Sequence, residues 1–128
     1  MPHLRLEYSA NLEEKADMAA VCAVALEAIL ATGIFELGAP RVRAYPAPHY
    51  AIADRHADNA FLDMIFRMGA GRSDTDKKRT GEAIMAAVAA ELAPLFAAPH
   101  FALSLEIVEI DAALSWKKNS MHARLRDR

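Results

Sequence analysis

A single cysteine, Cys22, stands in 128 residues. No disulfide framework can be built on one thiol, and a lone cysteine suits a reducing compartment, so the expectation is a cytoplasmic protein. Charge excess is also missing. Fifteen basic side chains against 17 acidic ones leave a formal net charge of −2, which gives no electrostatic pull toward nucleic acid or a membrane surface. No apolar run approaches the ~18 residues of a spanning helix. His3, Arg5 and Glu7 interrupt the first stretch where a secretory leader would be apolar. The five histidines, His3, His49, His56, His100 and His122, show neither H-x-H nor H-E-x-x-H spacing, so no metal site is expected. The G-x-S-x-G elbow and the G-x-x-x-x-G-K-[ST] phosphate loop are absent too.

What is present is a globular composition, 54% hydrophobic and 25% charged, in a length that fits one domain, residues 1–128. Residues 3–8 alternate, with Leu4, Leu6 and Tyr8 on one face, as in a strand. Asn11 with Glu14 three residues on reads as a capping box. The helix it would start carries Met18, Cys22, Ala25, Leu26 and Ile29 toward the core, and Thr32-Gly33 stops it. A second strand begins near Arg41, with Pro46 and Pro48 interrupting it. After a polar turn at Asp54–Asn59, a third strand over about 60–68 aligns Leu62, Met64, Phe66 and Met68. Ser73 caps a second helix, whose buried stripe is Ile84, Val88, Leu92 and Leu95. Pro94 kinks its end and Pro99 closes it. Phe101, Leu103, Leu105 and Ile107 alternate in a fourth strand.

The order is strand–helix–strand, twice, in units of about 2–57 and 58–111, followed by a tail, 112–128. This is an α/β (α+β) pattern. A strand that returns through a long helix runs parallel to the first with a right-handed crossover. The expected architecture is therefore tandem β-α-β units forming a four-stranded mixed sheet with two helices on one face. The other face needs cover, which points to a homo-oligomer. The tail is too polar for a core element. Ala113, Leu114, Trp116 and Met121 suit a short strand or a clamp on a neighbouring subunit, and Arg124 to Arg128 is expected to be loose.

The candidate for chemistry is Pro2. If Met1 is cut off, Pro2 carries a free secondary amine, where an internal proline nitrogen is only a non-basic amide. A terminal amine titrates at roughly 7.7–8.0. Burial lowers that further, toward the range of a general base. Arg72 sits between Gly69-Ala70-Gly71 and a helix start, where free N–H groups and a planar guanidinium fork suit a carboxylate; the alternative is a solvated surface arginine. Arg41 and Arg43 share one side of the second strand, either on a pocket wall or on a solvent-facing edge. His3 reads as a pocket-lining neighbour of the amine or as an ordinary strand histidine. Glu7, Glu106 and Glu109 lie on strands, and no pair can be placed. Cys22 reads as structural, and Phe35 and Trp116 as core, pocket or interface aromatics.

Together these pieces resemble the 5-carboxymethyl-2-hydroxymuconate isomerase family of the tautomerase superfamily. The resemblance covers nearly the whole chain. It is carried by Met1-Pro2-His3, Ala31-Thr32-Gly33-Ile34-Phe35, Arg41-Val42-Arg43, Gly69-Ala70-Gly71-Arg72-Ser73, Ala102-Leu103-Ser104-Leu105-Glu106-Ile107 and Lys118-Asn119-Ser120-Met121-His122. It implies a tautomerase-like fold, a homotrimer with inward-facing sheets, and no cofactor and no metal. Pro2 matches the family's catalytic amino-terminal proline. Arg41 and Arg72 match arginines associated there with substrate binding and catalysis, and Arg72 is expected to be catalytic. The implied substrate is a small polycarboxylate dienol. Its implied reaction is ketonisation to the 2-oxo-3-ene isomer, in bacterial meta-cleavage catabolism of homoprotocatechuate derived from 4-hydroxyphenylacetate. The loop Tyr45 to Asp58 departs from the family pattern and is expected to shape one pocket edge. Two other readings stand beside this one. One is another proline-dependent activity on small unsaturated or oxo acids, and the other is a non-catalytic trimeric binding protein.

Overall fold

The structure, a computed structural model, describes residues 1–127. Its four strands are β1 (His3–Ser9), β2 (Arg41–Ala47), β3 (Ala60–Gly69) and β4 (Phe101–Ile110). Its three α-helices are α1 (Met18–Ala31), α2 (Asp74–Glu91) and α3 (Met121–Arg126). The sheet order is β2-β1-β3-β4. β1 runs parallel to β2 and antiparallel to β3, and β3 runs parallel to β4. This is the mixed four-stranded sheet that the tandem β-α-β pattern predicts.

The pleat decides which face is covered. Leu4, Leu6 and Tyr8 of β1 and Leu62, Met64, Phe66 and Met68 of β3 are buried, and paired strand residues share a face. Leu4 lies opposite Val42 and Phe66, and Leu6 opposite Ala44 and Met64. Val21, Ala25 and Ile29 of α1 and Ile84 and Val88 of α2 close the same core. Each fully buried Leu, Ile, Val or Phe contributes about 1.5–3 kcal/mol. The opposite face carries Arg5, Glu7, Asp63, Arg67, Ser104 and Glu106, none of them in the buried core.

Several local expectations are corrected. Asn11 does not cap a helix. Ala10–Glu14 is a 3-10 turn, α1 starts seven residues later, and its cap is Asp17, whose carboxylate accepts from the Ala20 N–H at 3.1 Å. The Asn11 amide instead donates to the Asn59 carbonyl at 2.8 Å, tying the turn to the head of β3. On α1 the buried stripe runs through Val21 rather than Cys22 or Leu26, which are only partly covered. Pro46 does not end β2. In this chain β2 is an edge strand, where a proline's missing N–H costs no ladder bond if it faces outward. The end of the tail is not loose up to Arg126, whose guanidinium donates twice to Glu36 at 2.7 and 2.8 Å. Arg128 lies outside the described residues.

The second helix starts on its sequence signals but ends at Glu91, before Pro94, so Pro94 does not kink it and Leu95 falls in a separate 3-10 turn, only partly buried. The Ser73 hydroxyl accepts from the Asp76 N–H at 3.1 Å, and Asp74 and Asp76 lie in the first turn. Gly33, after α1, takes φ +73°, and Gly71, before α2, takes φ +102°. Both are left-handed positions where a side chain would be strained. No helix among the described residues is long and apolar enough to cross a membrane.

Candidate active site

The parallel pairing of β1 and β2 brings the head of the chain to one end of the sheet. The Arg41 N–H donates to the Pro2 carbonyl at 3.1 Å, which fixes the buried Pro2 where β1 begins. The end of β3 arrives beside it, because β3 is antiparallel to β1. The Gly69-Ala70-Gly71 turn then delivers Arg72 to the same end. A cavity of about 490 Å³ opens there, lined by Met1, Pro2, Phe35, Arg72, Lys117 and His122 among others.

Arg72 lies over the Phe35 ring, with its guanidinium carbon 4.6 Å from the centroid. Phe35 in turn packs edge-on against the buried Phe66 at 5.7 Å. The cation therefore rests on a wall anchored in the core, and among the described residues it has no carboxylate partner.

Arg41 is placed differently. Its Nη1 donates to the Gly38 carbonyl at 3.3 Å and to the Ala39 carbonyl. It braces the loop that forms one rim, and it is not among the residues lining the cavity. Arg43 turns to the open sheet face, donating to His3 Nδ1 at 3.1 Å. Burial, then Arg43, Arg67 and Arg41, push the His3 pKa below its ordinary value. His3 is therefore a neutral strand histidine outside the cavity.

The terminal amine belongs to Met1, one residue ahead of Pro2. It is lowered from 8.0 to about 6, first by burial, then by the Lys117 ammonium against it, then by Arg72 and Arg41. Of the residues singled out for chemistry in the sequence, Pro2 and Arg72 line this cavity and Arg41 does not, while Lys117, Glu36 and His122 line it without having been singled out for chemistry. The tail brings two of these in. The Asn119 amide donates to the Gly38 carbonyl at 2.9 Å, and His122 Nδ1 lies 3.3 Å from Glu36 Oε2. Glu36 is held below the usual carboxylate range mainly by its hydrogen bonds from Arg126. The available signal was the run Lys118 to His122, which carries part of the resemblance, although the tail reads as polar and solvated.

The loop at 48–59 does not border this cavity. Ala47 pairs with Ser9, so the loop leaves β2 at the opposite end of the sheet. There Asn59 is buried and donates to Ile52 and Asp54, while His100 Nδ1 pairs with Asn59 Oδ1 at 3.0 Å. His56, Asp58 and His100 bring ligand atoms within 4.8 Å of one another. However, His56 and His100 are stacked at 4.2 Å, and His56 Nδ1 already accepts the Asp58 N–H. Near-parallel rings cannot aim both lone pairs at one ion, so this cluster is a clasp for the loop.

The tail's seat gives a test. Gly38 is buried, and a Cβ there would meet His122 Nδ1 at 3.1 Å and Leu125 Cδ1 at 3.4 Å. Overpacking of this kind costs about 1–3 kcal/mol, and the short α3 yields before the sheet does. Gly38→Ala should therefore speed tryptic cleavage after Lys117 and Lys118 by roughly tenfold or more, read by mass spectrometry. Unchanged cleavage would mean that the tail is held by something else.

The family model for 5-carboxymethyl-2-hydroxymuconate isomerase matches residues 2–125. A 5-carboxymethyl-2-hydroxymuconate Delta-isomerase of Escherichia coli is 35% identical over 123 residues, covering 96% of this chain and 98% of that protein. A solved 5-carboxymethyl-2-hydroxymuconate isomerase from Deinococcus radiodurans R1 is 41% identical with a TM-score of 0.89, over 96% of this chain and 92% of that one. At the level of fold alone, a fused 4-OT described as a symmetric trimer superposes with a TM-score of 0.64 at 17% identity, over 84% of this chain and 86% of that one. The near-full-length match, on a chain whose proline head opens into a cationic cavity, places it: it belongs to the 5-carboxymethyl-2-hydroxymuconate isomerase family.

Proposed function

We propose that this protein is a 5-carboxymethyl-2-hydroxymuconate Delta-isomerase that ketonises the dienol to its 2-oxo-3-ene isomer, with Pro2 as the base once Met1 is removed. The observation that carries this reading is the amine-bearing head of the chain, which opens into a cavity walled by cations. The family's activity supports it.

The isomerisation is a proton relay. The neutral Pro2 nitrogen accepts the proton of the 2-hydroxyl, and electron density moves through the diene toward C5. The prolinium then returns a proton to C5, so the base is restored and nothing is oxidised or reduced. Arg72 holds a carboxylate and meets the charge that develops on the 2-oxo side. Nη1 of Arg41 is committed to loop carbonyls, which leaves its other N–H groups for a second carboxylate at the rim. The cationic wall also keeps the amine unprotonated near neutral pH.

The working unit in this proposal is a homotrimer, placed in the cytoplasm in the catabolism of 4-hydroxyphenylacetate by way of homoprotocatechuate. The open sheet face supports it, as does the trimeric state given for the fold neighbour. Leu114 and Trp116 are 72% and 85% exposed, which fits a contact with a neighbouring subunit.

The test is the decay of dienol absorbance on adding tag-free protein shown by intact mass to begin at Pro2. The expected result is loss far above the buffer rate. No acceleration by such a protein would overturn the assignment.

A further inference from the structure

We propose that Lys117, delivered by the C-terminal tail, is a third carboxylate-anchoring cation of this site. The inference rests on the isomerase reading and deepens it. The substrate of that reading carries three carboxylates, two at the ends of the muconate chain and one on the carboxymethyl arm. The two arginines account for two of them. An anion brought into a cavity without a partner loses its hydration uncompensated, so a third cation is called for.

Lys117 and Arg72 are the lining cations without an acidic partner among the described residues. The other nitrogen-bearing lining residue, His122, lies 3.3 Å from Glu36 and carries charge only when protonated, so it is not a permanent cation of the wall. Glu36, the one lining carboxylate, is offset by Arg126 at 2.7 Å, so the wall stays cationic. Lys117 also stands against the Met1 amine, one residue ahead of Pro2, and lines the same cavity as Pro2. The Pro2 amine is to protonate C5, and that carbon bears both the C6 carboxylate and the carboxymethyl arm, so a cation beside the amine is placed to meet one of these two carboxylates.

The segment that carries Lys117 is held in place. The Asn119 amide reaches the Gly38 carbonyl at 2.9 Å, and its oxygen accepts the Met121 N–H at 2.9 Å. Beyond these, the doubly bonded pair of Arg126 with Glu36 anchors α3. The lysine is thus presented from an extended segment braced on its C-terminal side and not from a free end.

The experiment compares steady-state ketonisation by wild type, Lys117→Gln, Lys117→Arg and Lys118→Gln. Lys118 is the neighbouring exposed lysine, outside the cavity. A hydrogen bond to a charged group is worth enough that Lys117→Gln should lose roughly 10- to 100-fold in kcat/KM, mostly through KM. Lys117→Arg should recover most of the loss, and Lys118→Gln should stay within about twofold. The acid limb of kcat/KM should also move to higher pH in Lys117→Gln, because a cation beside the amine has gone. Wild-type turnover with an unchanged Lys117→Gln would overturn this inference alone. Equal losses in Lys117→Gln and Lys118→Gln would also overturn it, by reducing the effect to general surface charge. A processed wild type that fails to ketonise the dienol would overturn the isomerase reading and this inference with it.

Discussion

Leaving Met1 on the chain should lower dienol turnover by about 10²- to 10⁴-fold, the usual contribution of a positioned general base. The loss would come from one bond. With Met1 attached, the Pro2 nitrogen is an amide and cannot take a proton. With Met1 removed, it is a secondary amine at the same place, because Pro2 is held by its carbonyl, which accepts from the Arg41 N–H at 3.1 Å, and not by its nitrogen. The pH profile follows from the same surroundings. The terminal amine of the Met1 form is lowered to about 6 by burial, Lys117, Arg72 and Arg41, and an amine on Pro2, which lines the same cavity, should be lowered by the same causes. A base works unprotonated, so kcat/KM should rise with pH through an acid limb below the ordinary range near 8 and stay flat above it. Pro2→Ala keeps a terminal amine but makes it primary, with different basicity and direction, so turnover should fall without vanishing. Intact mass and initial rates on matched preparations make the test. Equal rates for the Met1-bearing and processed forms would remove Pro2 from the mechanism.

Much of this was legible because each signal was local. Alternation in β1 and β4, the Ser73 cap and the glycine after α1 are patterns a few residues long, and each sets backbone geometry directly. Together they dictate the sheet and both long helices, and the resemblance put Pro2 and Arg72 at one site. What escaped was tertiary. A capping box at Asn11 is a good local signal, but its amide NH2 is drawn to the Asn59 carbonyl, 48 residues away, and its oxygen caps no N–H. Pro46 breaks a central strand but not an edge, and edge position is a property of sheet order. Arg41 matched a substrate arginine in sequence, yet its Nη1 is spent on the Gly38 and Ala39 carbonyls. The tail reads as solvated because its residues are polar. Its docking rests on Asn119, His122 and Arg126 meeting a carbonyl and a carboxylate more than 80 residues away, and no local pattern encodes that.

Arg72→Ala should lower kcat/KM by about 10²- to 10³-fold, as expected when a preorganised donor facing developing charge is removed. The structure gives three reasons for so large an effect. The guanidinium has no carboxylate partner among the described residues, so its charge is not already neutralised. It lies on the Phe35 face at 4.6 Å, and Phe35 is backed by Phe66, so little reorganisation is needed when substrate enters. It also acts on the amine, whose pKa should rise when the cation is lost. Arg72→Lys keeps the charge but loses the planar fork and most of the stacking, so it should recover only part of the rate. The division between kcat and KM separates the two roles. Pure anchoring would raise KM and spare kcat, whereas stabilisation of the developing oxyanion would lower kcat together with kcat/KM. Arg43→Ala is the matched control, because Arg43 donates to His3 on the open sheet face, and it should cost far less. If Arg43→Ala were instead the more damaging change with the oligomer still intact by gel filtration, the open face and not this cavity would hold the chemistry, and the cationic wall around Pro2 would have only a structural part.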